Sequence, residues 1–318
     1  MKAIVYAKFG PPDVLELKGV AKPVPKAHEI LVKVRAASVN AYDWRHLRAD
    51  PFMIRFMGAG LIKPRHKILG ADVAGQVEAV GGEVTRFKPG DEVFGEGGYG
   101  GFAEYVCVDE NRFVPKPADL TFEEAAAAPM AALTALQGLR DSGQIKAGQK
   151  VLINGASGGV GTFAVQIARA FGADVAGVCS TAKMDLVRSL GAGPVIDYTR
   201  EDVTGRKEKY DLIFDVAAFR PASDYKRLLN PGGRYVVAGG SIGRIFQTML
   251  LSKFKAKNMK VVIARVDQKD LLVLAELMTA GKVRSIIDKR CPLSETAEAL
   301  RYLEEGRARG KVVITVGD

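Results

Sequence analysis

The chain has 318 residues, of which 47% are hydrophobic, and its formal net charge is +10. This length indicates two domains, and without an apolar run of the ~18 residues that span a membrane, or a secretory signal, we expect a cytoplasmic protein. The three cysteines lie far apart in the sequence, which excludes a disulfide framework and a cysteine zinc cluster.

The first part of the chain, residues 1–120, has the pattern of an all-β domain. Short β-rich runs occur at residues 3–6, 29–36, 72–80 and 104–108, and glycine and proline clusters separate them. Several short strands at this spacing predict a compact barrel.

One segment within this part, residues 51–64, breaks the strand pattern. Its apolar side chains recur at helical spacing, at Phe52, Met53, Phe56 and Met57. Two interpretations are open. The segment is a helix that packs on the barrel, or it is a lid over an apolar substrate that hinges at Gly58 and Gly60.

From residue 121 onward, helical and strand patterns alternate. Helices are predicted at 122–128, 131–138, 159–171, 182–190, 223–228 and 269–280, and strands at 151–154, 174–179, 194–196, 211–216, 233–238 and 260–264. This alternation predicts a doubly wound parallel sheet. A final helix and strand, ending at residue 316, return to the first domain. The predicted domains are therefore 1–120 plus 290–318, and 121–289.

A glycine-rich turn follows the strand predicted at 151–154. Gly155, Gly158 and Gly161 have the spacing G-x-x-G-x-x-G, and an apolar helical pattern begins directly after them. The free N–H groups and the positive dipole at a helix N-terminus bind phosphate, and glycines allow its close approach. The alternative is an ordinary turn between a strand and a helix. The flanking strand and helix favour a dinucleotide site.

The end of the next strand indicates which dinucleotide is bound. NAD-binding units usually carry an acidic residue there, about 20 residues after the turn, to hold the ribose hydroxyls. Here the strand ends at Ser180 with Lys183 beyond it, whereas Asp174 and Asp185 lie at the wrong positions. A hydroxyl and an ammonium group suit a 2′-phosphate. We therefore expect NADP.

Six motifs occur together in this chain. They are AASVN with Asp43, LGADVAG, FKPGDEV, the glycine-rich turn, VIDY and ARGKVV, at residues 36–43, 69–75, 87–93, 155–161, 195–198 and 308–313. With this set, the chain resembles the zinc-free medium-chain dehydrogenases/reductases of the quinone oxidoreductase branch. Within the branch the chain is most similar to alkenal and enone reductases and to reticulon-interacting quinone reductases. The resemblance implies an α/β fold, with a GroES-like β-barrel catalytic domain and a Rossmann nucleotide-binding domain.

The ligands of the zinc-dependent relatives have no counterparts in this chain. Ser38–Asn40 stands near the first ligand position, the usual Gly-His-Glu is replaced by a segment ending in Asp72, and Cys107 is the only cysteine of its domain. A catalytic zinc needs three protein ligands, and the histidines show no ligand spacing. We expect no metal site.

The resemblance places Asn40 beside the nicotinamide, where its amide would stabilise a phenolate or enolate formed by hydride transfer from NADPH. Asp43 would order the loop. Relatives specific for quinones carry a tyrosine two positions after this aspartate, whereas here Asp43 is followed by Trp44-Arg45. The proton donor is left unassigned.

The resemblance also implies a set of cofactor contacts. Ser157, Gly158, Gly159 and Val160 would hold the diphosphate, and Ser180, Lys183 and Tyr198 the 2′-phosphate. Thr134, Ala217, Gly239 and Ser241 would approach the ribose and nicotinamide, and Arg307, Ala308 and Arg309 would close the cleft.

The function predicted is NADPH-dependent, zinc-independent reduction of a small quinone or of the C=C bond of an α,β-unsaturated carbonyl compound. The alternative is a basic NADPH-binding protein that acts at a membrane surface or on RNA. It depends on a cationic run with interleaved apolar residues, at Lys253, Phe254, Lys255, Lys257, Met259 and Lys260. No obligate nucleic acid is expected. Peripheral membrane contact and a homodimer are left open.

Overall fold

The computed structural model describes residues 1–56, 58–254 and 258–317. The chain divides into two compact units. Unit 1 comprises Met1–Met130, Val266–Thr279 and Ser285–Asp318, and unit 2 comprises Ala131–Arg265 and Ala280–Arg284.

The strands, numbered along the chain, are β1 (Lys2–Val5), β2 (Glu16–Gly19), β3 (Glu29–Val39), β4 (Asp72–Val80), β5 (Glu92–Glu96), β6 (Tyr105–Asp109), β7 (Phe113–Pro115), β8 (Lys150–Asn154), β9 (Asp174–Cys179), β10 (Val195–Asp197), β11 (Tyr210–Asp215), β12 (Leu229–Val237), β13 (Met259–Val261), β14 (Ile287–Pro292) and β15 (Lys311–Thr315). The α-helices are α1 (Ala41–Arg48), α2 (Phe122–Ala126), α3 (Pro129–Gln137), α4 (Gly159–Ala170), α5 (Met184–Ser189), α6 (Ala222–Lys226), α7 (Ile242–Phe254), α8 (Gln268–Thr279) and α9 (Thr296–Glu304).

Unit 1 is organised around the long strand β3. Seven strands form its main sheet, in the order β14-β15-β3-β4-β5-β7, with β6 paired to β3 as well, and β1 and β2 form a separate hairpin. The second half of β3 is antiparallel to β15, with Val39 opposite Val312, and its first half pairs with β6. This strand therefore brings the C-terminal strand next to Asn40, which directly follows it.

The sequence of β3 fits this position. Buried Val32 and Val34 alternate with exposed Lys33 and Arg35, which is the pattern of a sheet with one face on the core. Residues 36–39 are all buried, and the small side chains there allow α2 to pack against the sheet.

Unit 2 contains the predicted parallel sheet. Its six strands are in the order β10-β9-β8-β11-β12-β13, and every neighbouring pair is parallel. The strand order reverses between β8 and β11, so the connections after these two strands leave the same edge in opposite directions. Ligands bind at such switch points in doubly wound sheets. The predicted α/β fold class, with its two domain types, is confirmed.

The division into units differs from the predicted boundaries in three places, one of which is residues 285–289, which lie in unit 1. Residues 121–130 lie in unit 1, because α2 packs on β3 and β4. The segment 266–279 also lies in unit 1, where the Gln268 amide donates to the carbonyl oxygens of Glu110 and Phe113 at 2.9 and 2.8 Å.

The predicted helix at residues 51–64 is wrong for the described part of that segment. A single 3-10 turn, Phe52–Arg55, forms there, and Phe52, Met53 and Phe56 are exposed, while Met57 lies outside the described residues. Gly58 and Gly60 have φ angles of 113° and 109°, which an α-helix cannot contain. The lid interpretation stays a prediction.

Helix α7 was not predicted, and it occupies the stretch that includes part of the cationic run. Lys255 and Lys257 of that run lie outside the described residues. Among residues 1–56, 58–254 and 258–317, no helix has both the length and the apolar character needed to cross a bilayer.

Candidate active site

The site in unit 1 begins at the N-terminus of α1. This helix is short and polar, so its first turn depends on capping. The Asp43 carboxylate accepts the N–H of Asn40 at 2.8 Å with one oxygen and the N–H of Gly70 at 3.0 Å with the other. Asp43 thereby ties the end of β3 to the loop that enters β4.

Asp72, the first residue of β4, is the centre of the site. Its side chain is fully buried. One carboxylate oxygen accepts the Ser38 hydroxyl and the Asn40 amide N–H, each at 2.9 Å, and the other accepts the Met130 N–H at 3.0 Å. These three donors hold the ionised form in place.

Lys311, the first residue of β15, supplies the opposite charge. It is only 3% exposed, and its Nζ lies 3.8 Å from a carboxylate oxygen of Asp72. The same ammonium donates to the side-chain oxygen of Asn40, and more weakly to the Val39 carbonyl at 3.4 Å. Asn40 therefore lies between a buried cation and a buried anion.

The amide hydrogens of Asn40 are both bonded within unit 1. One goes to Asp72 at 2.9 Å and the other to the Ser38 carbonyl at 3.3 Å. Asn40 is 7% exposed. The predicted donor is thus a nearly buried member of a fixed network, and its hydrogen bond to Ser38 is the longer and weaker of the two.

Burial shifts the titration of this cluster. It raises the pKa of Asp72 and lowers that of Lys311, while the attraction between the two opposes both shifts. Burial also raises the pKa of Asp43 to about 7, against its two backbone hydrogen bonds. The pKa of Glu96 on β5 rises to about 7, because of its burial and the nearby charge of Asp72.

Two of the histidines lie in an aromatic cluster beside α1. The His66 ring stacks on Tyr99 at 3.8 Å, and the His46 ring lies 3.9 Å from that of Tyr42. Burial lowers the pKa of both histidines. In the described part of the chain, no three His, Cys, Asp or Glu residues are grouped as a metal would require.

In the glycine-rich turn between β8 and α4 of unit 2, the backbone segments lie very close to one another. Gly155 has a φ of 84°, and a Cβ on Gly161 would lie 2.0 Å from the Gly155 oxygen. The first N–H groups of α4, at Gly159, Val160 and Gly161, have no acceptor within the helix. A Cβ on Gly158 would meet only the Gly155 oxygen, at 3.7 Å, so space is open beside it. This cradle fits a diphosphate.

The turns after β11 and β12 are also fixed by close contacts. The buried carboxylate of Asp215, which ends β11, accepts the N–H groups of Ala217 and Ala218 at 3.1 and 2.7 Å. A Cβ on Gly240 would lie 1.9 Å from the Ala217 oxygen, so the second turn crosses directly over the first.

The predicted cofactor residues of unit 2 cluster mainly at the carboxyl ends of its parallel strands. After β8 come Ser157, Gly158, Gly159 and Val160; after β9, Ser180 and Lys183; after β10, Tyr198; after β11, Ala217; and after β12, Gly239 and Ser241. Thr134 lies on α3, and it is buried. Arg307, Ala308 and Arg309 belong to unit 1, in the turn before β15.

Asp174 and Asp185 were the acidic residues considered for the end of β9, but the structure brings a third one there. Asp197 ends β10 directly opposite Cys179. Its oxygens accept hydrogen bonds from the Thr181 hydroxyl and from the hydroxyl and N–H of Thr199, and Arg200 lies 3.6 Å away. These partners, with Thr181 first, lower the pKa of Asp197. Sequence spacing along one strand could not reveal a carboxylate delivered by its neighbour.

Asp72 and Lys311 were also missed as site residues. Each is a charged residue that begins a strand and is directly followed by two apolar residues, which was the available signal. Only the sheet order β15-β3-β4 shows that the two charges face each other.

Comparisons with known proteins agree with both units. The model for the alcohol dehydrogenase GroES-like domain matches residues 26–118, and the model for zinc-binding dehydrogenases matches residues 190–314. An NADPH-dependent alkenal/one oxidoreductase of Arabidopsis thaliana is 35% identical over 99% of this chain and 79% of its own length.

A quinone oxidoreductase of Triphysaria versicolor is 33% identical over 99% of this chain and 98% of its own length. A quinone oxidoreductase from Coxiella burnetii has a solved structure with the same fold. The latter superposes with a TM-score of 0.88 at 30% identity, covering 100% of this chain and 99% of that one. The chain therefore belongs to the medium-chain dehydrogenase/reductase family, in the branch of the quinone oxidoreductases and alkenal reductases.

Proposed function

We propose that the chain transfers a hydride from NADPH to quinones or to the C=C bond of α,β-unsaturated carbonyl compounds, without zinc. The observation that carries this proposal is the Asn40 amide, an uncharged donor held between Lys311 and Asp72. Similar proteins are named alkenal/one oxidoreductase and quinone oxidoreductase, which supports the same substrate classes.

Bound NADPH supplies the hydride, and the residues of this chain bind and orient the reactants. Hydride addition to such an acceptor places negative charge on its oxygen. The Asn40 N–H that now contacts Ser38 at 3.3 Å can exchange this long bond for a shorter one to the charged oxygen. The bond to Asp72 meanwhile keeps the amide in place.

Zinc independence is supported by the groups around Asp72. Its partners are a hydroxyl, an amide N–H, a backbone N–H and an ammonium group. All are donors of hydrogen bonds as they stand, and a divalent cation at this carboxylate would face the positive charge of Lys311. The cluster thus holds a protein cation where zinc-dependent enzymes require ligands.

NADPH oxidation with a panel of acceptors tests the function. We expect turnover with 2-alkenals, enones and benzoquinones and little with saturated aldehydes, and a chelator should leave the rates unchanged. The purified protein should contain no stoichiometric zinc. Turnover that requires added zinc, or that is limited to alcohols and saturated aldehydes, would contradict the proposal.

NADP specificity is proposed from the cations near Ser180. Lys183 and Arg200 border this edge of the sheet, and the threonine hydrogen bonds already occupy the oxygens of Asp197. Because a charged hydrogen bond contributes about 1.5–3 kcal/mol, Lys183→Ala should weaken NADPH binding at least ~10-fold and leave NADH binding unchanged. Lys226→Ala, at an exposed lysine on α6, is the control. Equal dissociation constants of the native protein for both cofactors would refute NADP specificity.

A further inference from the structure

Lys311 is unusual among the lysines of unit 1 because it is buried within the site itself. Its side chain is 3% exposed, and its partners Asn40, Val39 and Asp72 belong to the site. Burying an ammonium and a carboxylate together is often no more favourable than burying apolar side chains of the same size. Stability alone therefore does not account for a lysine here.

The position of Lys311 follows from the sheet. β15 is antiparallel to β3, with Val312 opposite Val39, so the preceding residue of β15 lies across from the residue that follows β3, which is Asn40. Asp72 begins β4 on the other side, opposite Ser38. Three strands thus deliver cation, amide and anion to one end of the sheet.

The two charges specify one orientation of the Asn40 amide. A lysine ammonium can only donate hydrogen bonds, and an ionised aspartate can only accept them. The amide oxygen must therefore face Lys311, and the amide nitrogen must face Asp72 and Ser38. The flipped amide would place its N–H groups against the ammonium and its oxygen against the carboxylate.

The ammonium also polarises the amide. A hydrogen bond from a cation to the carbonyl oxygen draws electrons from the nitrogen, so the N–H groups become stronger donors. This effect increases as the surroundings lose water, and Lys311 and Asp72 are both almost fully buried.

We propose that Lys311 is a positioning residue for the reduction reaction, which fixes the orientation of the Asn40 amide and strengthens its N–H as a donor to the substrate oxygen. This inference rests on the proposed function. Lys311 does not touch the reacting atoms itself; it acts through Asn40.

The test compares Lys311→Met and Lys311→Arg with a matched control. Lys116, also in unit 1, has a side chain that is 4% exposed, and it pairs with Glu92 at 3.0 Å and with the carbonyl oxygens of Pro117 and Leu120. None of these partners belongs to the site. Lys116→Met therefore removes a buried lysine side chain and its ion pair with the exposed Glu92, without affecting Asn40.

We expect Lys311→Met to lower kcat for an enone about 10- to 100-fold, as displacement of a reacting group does, with the dissociation constant for NADPH unchanged. Lys311→Arg should recover part of the loss, because it restores the cation. Lys116→Met should keep the native kcat, even where its melting temperature falls as much as that of Lys311→Met. Equal kcat in the two methionine variants would overturn the proposal.

A pH profile provides a readout that a merely structural role would not change. Asp72 is faced by Asp43 from α1, by Glu96 from β5 and by Lys311 from β15. Without the ammonium, the charge of Lys311 no longer opposes the charges of the two acids, and protonation of Asp72 becomes easier. Lys311→Met should then lose kcat toward acidic pH where the native enzyme does not, and the added change Asp72→Asn should remove this acid limb.

The orientation of the Asn40 amide can be measured without turnover, by NMR of its side-chain N–H signals. These signals are assigned by their absence from the spectrum of Asn40→Asp. In the native protein we expect one resolved pair of N–H signals that exchanges slowly with water. In Lys311→Met the pair should shift and exchange faster, whereas in Lys116→Met it should not change. Unchanged signals in Lys311→Met would refute the positioning role, and absent turnover in the native enzyme would refute only the proposed function.

Discussion

Among single residues, Asn40 connects the predicted chemistry to the observed network. Removing one donor from a preorganised site typically costs about 2.7–4 kcal/mol of transition-state stabilisation. Asn40→Ala should therefore lower the rate of hydride transfer by roughly one to three orders of magnitude and leave NADPH affinity nearly unchanged. Asn40→Asp should be slower still, because its carboxylate would face Asp72 and the charged substrate oxygen. Stopped-flow kinetics with an enone measures both.

Ser38 offers the control for this prediction. Its hydroxyl donates to Asp72, but the Asn40 amide contacts its backbone carbonyl, which Ser38→Ala retains. This variant should lose much less activity than Asn40→Ala. If the alanine and aspartate variants of Asn40 both transfer hydride at the native rate, Asn40 is only a loop residue, and the donor to the substrate oxygen lies elsewhere.

Sequence reasoning found residues whose role is local and missed those whose role depends on sheet order. Asn40 and Asp43 belong to one helix start, and the turn from Gly155 to Gly161 is contiguous, so a short window contains their signal. Asp72 and Lys311 lie far apart in the sequence, so no short window contains both of them. Asp197 was likewise missed as a neighbour of Ser180, because two strands bring the two residues together.

Whole elements were also predicted correctly where their sequence signal is local, and missed where it is not. Parallel strands buried on both faces leave short apolar runs such as Val151–Ile153, which made the sheet of unit 2 predictable. The helix α1 has a polar sequence, and its start is capped by Asp43 rather than signalled by apolar periodicity. In residues 51–64 the apolar spacing suggested a helix, but the positive φ angles of Gly58 and Gly60 prevent it beyond the 3-10 turn.

The turn between β8 and α4 allows folding and cofactor binding to be separated with two glycines. A Cβ on Gly161 would lie 2.0 Å from the Gly155 oxygen, so Gly161→Ala should shift α4 and destabilise unit 2 by about 1–3 kcal/mol. A Cβ on Gly158 meets its nearest atom at 3.7 Å, an ordinary contact, and points into the open space of the cradle.

Gly158→Ala should therefore keep the native melting temperature and weaken NADPH binding, whereas Gly161→Ala should lower both. Thermal melting and fluorescence titration with NADPH distinguish the two variants. A Gly158→Ala protein with native affinity would show that the diphosphate does not approach this turn.

The molecule as a whole has a net charge of +10, but unit 1 contains a buried group of acidic residues. The charge of Asp72 raises the pKa values of Asp43 and Glu96, and the charge of Asp43 raises that of Glu96 as well, while Lys311 opposes these effects and Arg112 opposes the shift of Glu96. The surface charge favours the approach of an anionic cofactor, while the buried acids make the stability of the fold depend on pH.

The pKa shift of Glu96 determines how its contribution to the stability of the fold changes with pH. Burial, and then the charge of Asp72, raises its pKa from 4.5 in the unfolded chain to about 7 in the fold. Between these values the unfolded chain loses the proton and the folded chain keeps it. The folded state then binds more protons, so the contribution of Glu96 to stability falls as pH rises through this window and is fully unfavourable above it.

Replacing Glu96 with glutamine removes this titration. Because one pKa unit corresponds to about 1.4 kcal/mol, and Gln loses the contact to Arg112, Glu96→Gln should raise the free energy of unfolding by about 1–3 kcal/mol at pH 8. At pH 5 the folded native chain already holds the proton, so the gain should be much smaller there. Denaturant unfolding of both proteins at the two pH values, at one ionic strength, measures the difference. An equal effect at pH 5 and pH 8 would mean that Glu96 titrates alike in the folded and unfolded chains, and that neither its burial nor the charge of Asp72 raises its pKa.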